Sequence, residues 1–290
     1  MVNLKVKHTP RSFLYTRRNT GSILVIVIWV MVFFSILCAG LYGIISSQIR
    51  LVKRIEDSVI CEYLAKAAAA YWLQENAKDE TGYDTLYELR ARRERELGYG
   101  KFSYSVTDEE SKININKAAV EVVEGLPGFN AELAALIAEA GAKPFHAKEE
   151  ILLIDGVTDE IFEQCKNFIT IYSDGKVNVN TAPMETLLAL GLDEQTTAAI
   201  VDFRSGPDGE EATEDDEVFE DAGQVIDKLR GFRGLSEAQE ASLLALISQG
   251  ALTTESKNFT LDIETQVLNK PSMRYSIVMG EEDIKQWQEW

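Results

Sequence analysis

From Ile23 to Ile45 the chain is apolar or small and carries no charge. Twenty-three helical residues reach about 35 Å at 1.5 Å each, enough to cross a bilayer core of roughly 30 Å. No Gly or Pro follows until Gly82. Ile49, Val52, Ile55, Val59, Tyr63, Ala67 and Tyr71 recur every three or four residues, which predicts that the helix continues with this face against a folded body. The run "LAKAAAAYWLQENA" favours helix strongly. The pattern therefore predicts a single helix from Ser22 to about Asn76, roughly 82 Å long.

Further on the period changes to two. Phe102, Tyr104 and Val106 alternate within "KFSYSVTDEESKINI", Phe259, Leu261 and Ile263 within "NFTLDIETQVL", and Met273, Tyr275 and Ile277 within "SMRYSIVMG". "GYG" at 98–100 reads as a turn before the first of these strands. A small antiparallel sheet over 100–116 and 251–290 is expected, interrupted by a helical insertion over 117–250.

The insertion contains a duplication. "KININKAAVEVVEGLPGF" opens at Lys112 and "KVNVNTAPMETLLALGL" at Lys176, an offset of 64 residues that slips to 63 after Pro127. Each copy reads Lys-apolar-Asn-apolar-Asn, then a short helix, then a glycine turn. Asn116 is expected to cap the first helix and Asn180 or Thr181 the second, with Pro183 in the first helical turn. A further helix is expected from about Ala131. Two looser copies of the turn surround Gly156 and Gly231–Gly234. Together they predict tandem helix-hairpin-helix units of the SAM-like kind.

Charge is unevenly distributed. The whole chain carries −18, yet residues 1–54 hold eight Lys or Arg and no acid, leaving 21 basic and 47 acidic groups in the remainder. Five of the eight precede the apolar run, an asymmetry that favours a cytoplasmic N-terminus. A body at −26 repels nucleic acid. Three of the glycine turns are followed by Asn130 and Glu132, Asp159 and Glu160, or Asp193 and Glu194; only the last has basic flanks, Arg230 and Arg233. Nucleic acid is therefore not an expected partner, and the hairpins read as a packing unit. The two histidines, His8 and His146, exclude a multi-histidine metal centre. Cys61 and Cys165 are expected to be buried free thiols, although spacing leaves a disulfide open. No P-loop, HExxH or GxSxG pattern occurs, so no catalytic residue is assigned.

A basic leader ending in Gly21, a small residue at Ser22, and a membrane run that continues as an amphipathic helix resemble a type IV prepilin. The resemblance implies cleavage by a prepilin peptidase after Gly21 and methylation of Ser22. Most family members carry Glu at mature position five; here that position is Ile26. A carboxylate in lipid is costly unless paired, and a subunit with nothing ahead of it has no amine to pair. The missing acid, the short sheet and the insertion with two hairpin-bearing parts together resemble the minor pseudopilin K family of type II secretion (general secretion pathway protein K). That resemblance implies an α+β fold with a long N-terminal transmembrane and amphipathic pilin helix packed on the sheet, and segments of leader 1–21 and helix 22–80. It further implies a subunit capping the pseudopilus tip, with minor pseudopilins of types I and J as partners. The implied location is the inner membrane, single pass, with a periplasmic C-terminal domain.

Members of this family bind Ca²⁺. "DFRSGPDGEEATEDDEVFEDAG", Asp202 to Gly223, holds ten acids. Clustered oxygens suit Ca²⁺, though EF-hand spacing is absent. Asp208, Glu210, Glu211, Asp215 and Asp216 are the candidate ligands, beside the alternative of a solvated acidic loop. Other readings remain open at this point: an ordinary single-pass anchor, a membrane-tethered helix-hairpin-helix receptor for DNA uptake, a minor pilin of a type IV pilus, and a secreted hydrolase.

Overall fold

The computed structural model describes residues 20–140, 144–268, 270–281 and 283–290. The leader, with His8, lies outside the described residues except for its last two positions, Thr20 and Gly21. The chain divides into two units, residues 1–57 and 58–290.

Helix α1 runs Thr20–Asn76, so its predicted length and continuity hold. In the first unit it is the described element. Its most apolar 18-residue window has a mean hydropathy of 2.9, and the helix is long and apolar enough to cross a membrane. Side chains there, including Trp29, Phe33 and Ile36, are exposed, more than 60% in each case.

In the second unit the last turns of α1 carry a buried stripe, Cys61, Leu64, Ala65, Ala68, Ala69 and Trp72. This corrects the expected face: Val59, Tyr63 and Tyr71 are exposed, roughly 200° round the helix from the stripe at 100° per residue. Sequence bulk pointed to the tyrosines, but Ala65 and Ala68 let the helix lie close to a sheet, and closeness decides the packing. A short helix α2 (Leu86–Arg90) follows, opened by a capping box between Thr85 and Glu88.

Strands β1 (Arg93–Leu97) and β2 (Gly100–Asp108) form a hairpin across Gly98 and Tyr99. The chain then leaves the sheet. It passes β3 (Ile113–Asn114), α3 (Val120–Glu124), α4 (Ala131–Glu139), a 3₁₀ turn at Lys148–Leu153, α5 (Asp159–Cys165) and β4 (Ile169–Thr170). The second copy runs through β5 (Val177–Asn178), α6 (Met184–Ala189), α7 (Glu194–Arg204), α8 (Val225–Phe232), α9 (Glu237–Ser248) and β6 (Leu252–Thr253). The sheet resumes with β7 (Phe259–Val267), β8 (Met273–Met279) and β9 (Ile284–Glu289), giving an antiparallel order β1-β2-β7-β8-β9.

The sheet thus begins seven residues before the expected Gly100. Residues 109–116 and 251–258, expected in it, belong to the insertion. There β3 pairs parallel with β4, and β5 with β6, so each copy is closed by its own two-residue ladder. Phe102, Tyr104, Leu261, Ile263, Tyr275 and Ile277 pack beneath the α1 stripe in one core. The insertion has another, built from both copies and including Ile115, Phe145, Val179, Leu187, Ile200 and Phe219. Cys61 lies in the first core and Cys165 in the second, both as free thiols. Burial pushes the Cys165 thiol up to about 11.

Candidate functional site

The four glycine turns are built alike. Gly128, Gly156, Gly191 and Gly234 all take φ between +77° and +92°, the left-handed region that costs a side chain and favours glycine. Each is followed by one apolar residue and then a cap. Asn130 accepts from Leu133 N, Thr158 from Ile161 N, Asp193 from Gln195 N and Thr196 N, and Ser236 from Gln239 N. The order Gly-apolar-cap is a sequence signal that fixes all four helix starts.

The duplicated asparagines do a different job from the one expected. Asn116 does not cap α3, whose cap residue Ala119 makes no side-chain bond. Its Oδ1 accepts from Phe145 N at 2.7 Å and its Nδ2 donates to Phe145 O at 3.0 Å. Asn180 clamps Phe219 in the same way, at 2.9 Å in both directions. Pro183 is the cap residue of α6, and the Thr181 hydroxyl donates to Asp108. The first asparagine of each motif supports the second: Asn114 Oδ1 accepts from Asn116 N and Asn178 Oδ1 from Asn180 N, both at 3.0 Å. Each clamped Phe is buried in the insertion core.

At the hairpin tips the electrostatics are unfavourable for phosphate. Every helix following a glycine turn has an acid in its first turn: Glu132, Asp159, Glu194 and Glu237. Such acids are favoured by the helix dipole that would otherwise attract a phosphate. At the fourth turn Arg230 pairs with Asp227 and Glu240, and Arg233 with Asp202.

The five acids proposed for Ca²⁺ lie in one loop, and four of their carboxylates, those of Asp208, Glu211, Asp215 and Asp216, accept hydrogen bonds from within it. Glu211 receives Arg204 Nε at 2.8 Å and Nη2 at 2.5 Å. Arg204 is buried and also donates to Val179 O, anchoring the loop to the second motif. Asp216 accepts from Ala212 N and Thr213 N, Asp215 from Asp208 N, and Asp208 from Glu210 N. Ala212 takes φ +69°. Among the described residues no group of three or more His, Cys, Asp or Glu side chains is placed to hold a metal ion. Gly21 and Ser22 lie in the first turn of α1, and Ile26 is exposed on it.

Sequence reasoning passed over the acids 108–110. Asp108, Glu109 and Glu110 are buried where the chain leaves the sheet. Burial works to raise Glu109, but Lys112 at 2.5 Å and the hydroxyls of Thr170 and Thr260 outweigh it and hold the carboxyl below its usual range. Among the described residues neither Asp108 nor Glu110 pairs with a lysine or arginine; Asp108 accepts from hydroxyls and a backbone N–H, and Glu110 from Asn258.

A family model for the helix-hairpin-helix motif matches residues 108–170, the first copy with its entering strand. No curated protein matches the sequence. Among solved structures, the fold is similar to a chain of the GspK-GspI-GspJ complex from the type 2 secretion system of enterotoxigenic Escherichia coli. The TM-score is 0.57 at 17% identity, covering 79% of this chain and 95% of that one. At this identity the likeness establishes a pseudopilin-like α+β fold: a long apolar helix, an antiparallel sheet and a hairpin-bearing helical insertion.

Proposed function

We propose that this chain is a minor pseudopilin of the K type, which caps the tip of a type II secretion pseudopilus and works by assembly rather than catalysis. The observation that carries this reading is the fold likeness over most of both chains to a member of a pseudopilin complex. Ile26, where most prepilins carry Glu, supports the tip position: no subunit above would need that charge. In this reading prepilin peptidase cuts after Gly21, Ser22 is methylated, and α1 anchors the subunit in the inner membrane with the second unit in the periplasm. Its partners are minor pseudopilins of types I and J.

Co-expression with those two proteins tests the reading. A complex of all three, recovered from detergent-solubilised membranes, is expected; recovery of this chain alone would count against it. Replacing Gly21 should leave an uncut, non-assembling precursor, and normal secretion with the uncleaved form would contradict the proposal.

Calcium enters through the resemblance alone. Binding at Asp208, Glu210, Glu211, Asp215 and Asp216 would draw on carboxylates of which Glu211 already meets Arg204, and Asp208, Asp215 and Asp216 meet loop amides. Calorimetric titration of the purified protein with Ca²⁺ tests that directly, with the five-fold amide variant as the control.

The helix-hairpin-helix match favours a second reading, a tethered receptor for DNA. Acids at every hairpin and the paired arginines weigh against it. Salt-sensitive retention of duplex DNA, lost on replacing Arg230 and Arg233, would support it instead.

A further inference from the structure

Three carboxyl groups meet where the insertion joins the sheet. Asp84 precedes α2, Asp108 ends β2, and Glu110 lies two residues on; all three are buried. One continuous set of hydrogen bonds links them. Ser256 N donates to Asp84 Oδ2 at 2.7 Å, and Ser256 Oγ donates to Asp108 Oδ2 at 2.6 Å. Glu110 N donates to Asp108 Oδ1 at 2.7 Å. Asn258 donates to Glu110 from its backbone N at 3.1 Å and from Nδ2 at 2.7 Å. The second motif joins through Thr181, whose hydroxyl donates to Asp108, and through Asn178, which donates to Ser256 Oγ at 2.8 Å and to Glu110 O at 2.9 Å. The set therefore holds both chain crossings between sheet and insertion, 108–111 and 254–258, together with the second repeat.

Among the described residues no lysine or arginine side chain is hydrogen-bonded to these three carboxyl groups. From the segment before α2 and from α2 itself, Asp79 and Glu88 add negative charge to Asp84. Arg90 of α2 and Lys112 line the same cavity of about 240 Å³ as Asp108, but Lys112 is bound to Glu109. From the returning segment Lys257 pairs with Glu281, and from β9 Lys285 donates to the Asn258 carbonyl Oδ1 instead of to a carboxylate. The facing residues of the second repeat, Asn178 and Thr181, are neutral. Buried carboxylates without a cation are costly, and the cheaper state keeps protons on them.

We infer that Asp84, Asp108 and Glu110 form a proton-held joint, which fastens the helical insertion to the sheet in acid and loosens it as pH rises. This is independent of the pseudopilin reading. Burial is the leading cause in each case: it lifts Asp84 to about 7 and Glu110 to about 8, with the Asp108 charge adding to both, and it raises Asp108 as well. Folded-state values above the unfolded ones mean that the native joint binds more protons than the open one. Its stability is therefore greatest at low pH and is lost as pH climbs from about 4 towards about 8.

Hydrogen exchange of the full-length protein in detergent micelles, between pH 5.5 and 8.5 and corrected for the intrinsic rate, tests the joint. In peptides covering 108–111 and 254–258 the opening equilibrium should grow about tenfold per pH unit for each proton retained, while β8 stays level. Glu110→Gln should flatten the slope. Asp84→Asn should do so more weakly, and it serves where the first variant folds poorly. A wild-type profile without pH dependence in these peptides, or variants that keep the wild-type slope, would overturn the inference.

Discussion

The two copies of the Lys-x-Asn-x-Asn unit close in the same way over different lengths of chain. Asn116 reaches 29 residues to clamp Phe145, and Asn180 reaches 39 to clamp Phe219. Both begin in a two-residue parallel ladder, and both turn two hairpins on left-handed glycines. The longer copy spends its extra residues on the acidic loop and secures it with Arg204. Lengthening a loop from 29 to 39 residues costs only about 0.3 kcal/mol in closure entropy, so the second repeat carries the loop cheaply. The conserved feature of the duplication is its frame of ladder, clamp and hinge; what lies between is free to vary.

The sharpest way to break this equivalence is to remove the clamped rings. Phe219→Ala and Phe145→Ala should each cost about 3–5 kcal/mol in chemical unfolding; a cost confined to one copy would show that the frames are not equivalent. Asn180→Ala comes next, at about 3 kcal/mol, because it strands a buried donor and acceptor on Phe219. Arg204→Leu has no counterpart in the first copy. It should cost about 2 kcal/mol by leaving Glu211 and the Val179 carbonyl without their donor, read as a shift in the unfolding midpoint. Asn116 is only half-buried, so water can replace its bonds; Asn116→Ala should cost about 1 kcal/mol, and the difference from Asn180 measures the value of burial. Exposed loop changes such as Asp208→Asn should stay within about 0.5 kcal/mol.

Much of this frame was legible because it repeats. The apolar run, the offset of 64 residues and the four glycine turns each follow from spacing, and period-two alternation found β2, β7 and β8. What escaped had no such signal. The strand β1 reads Arg-Glu-Arg-Glu-Leu and is exposed along nearly its whole length; as a charged edge strand it buries no face to alternate against. Strand β9 is likewise mostly exposed. Asn116 sits where a cap belongs, and only the fold brings Phe145 to it. The stripe on α1 was misplaced because small residues pack closely while larger ones catch the eye. Asp108, Glu109 and Glu110 carry no burial signal in the sequence, and only the chain's exit from the sheet shows them buried.

The candidate site divides on the same line. Gly21, Ser22 and Ile26 are read from local order along the chain, whereas a ligand set depends on where the loop folds its carboxylates; Glu211 meets Arg204, and Asp208, Asp215 and Asp216 meet loop amides.

The central claim, that this chain is a processed pseudopilin, is tested most directly by its intact mass and N-terminal sequence after purification from its own membranes. A mature chain beginning at N-methylated Ser22 is the predicted result. A chain that still begins at Met1 would contradict it and leave a plain signal-anchored protein with a pseudopilin-like fold.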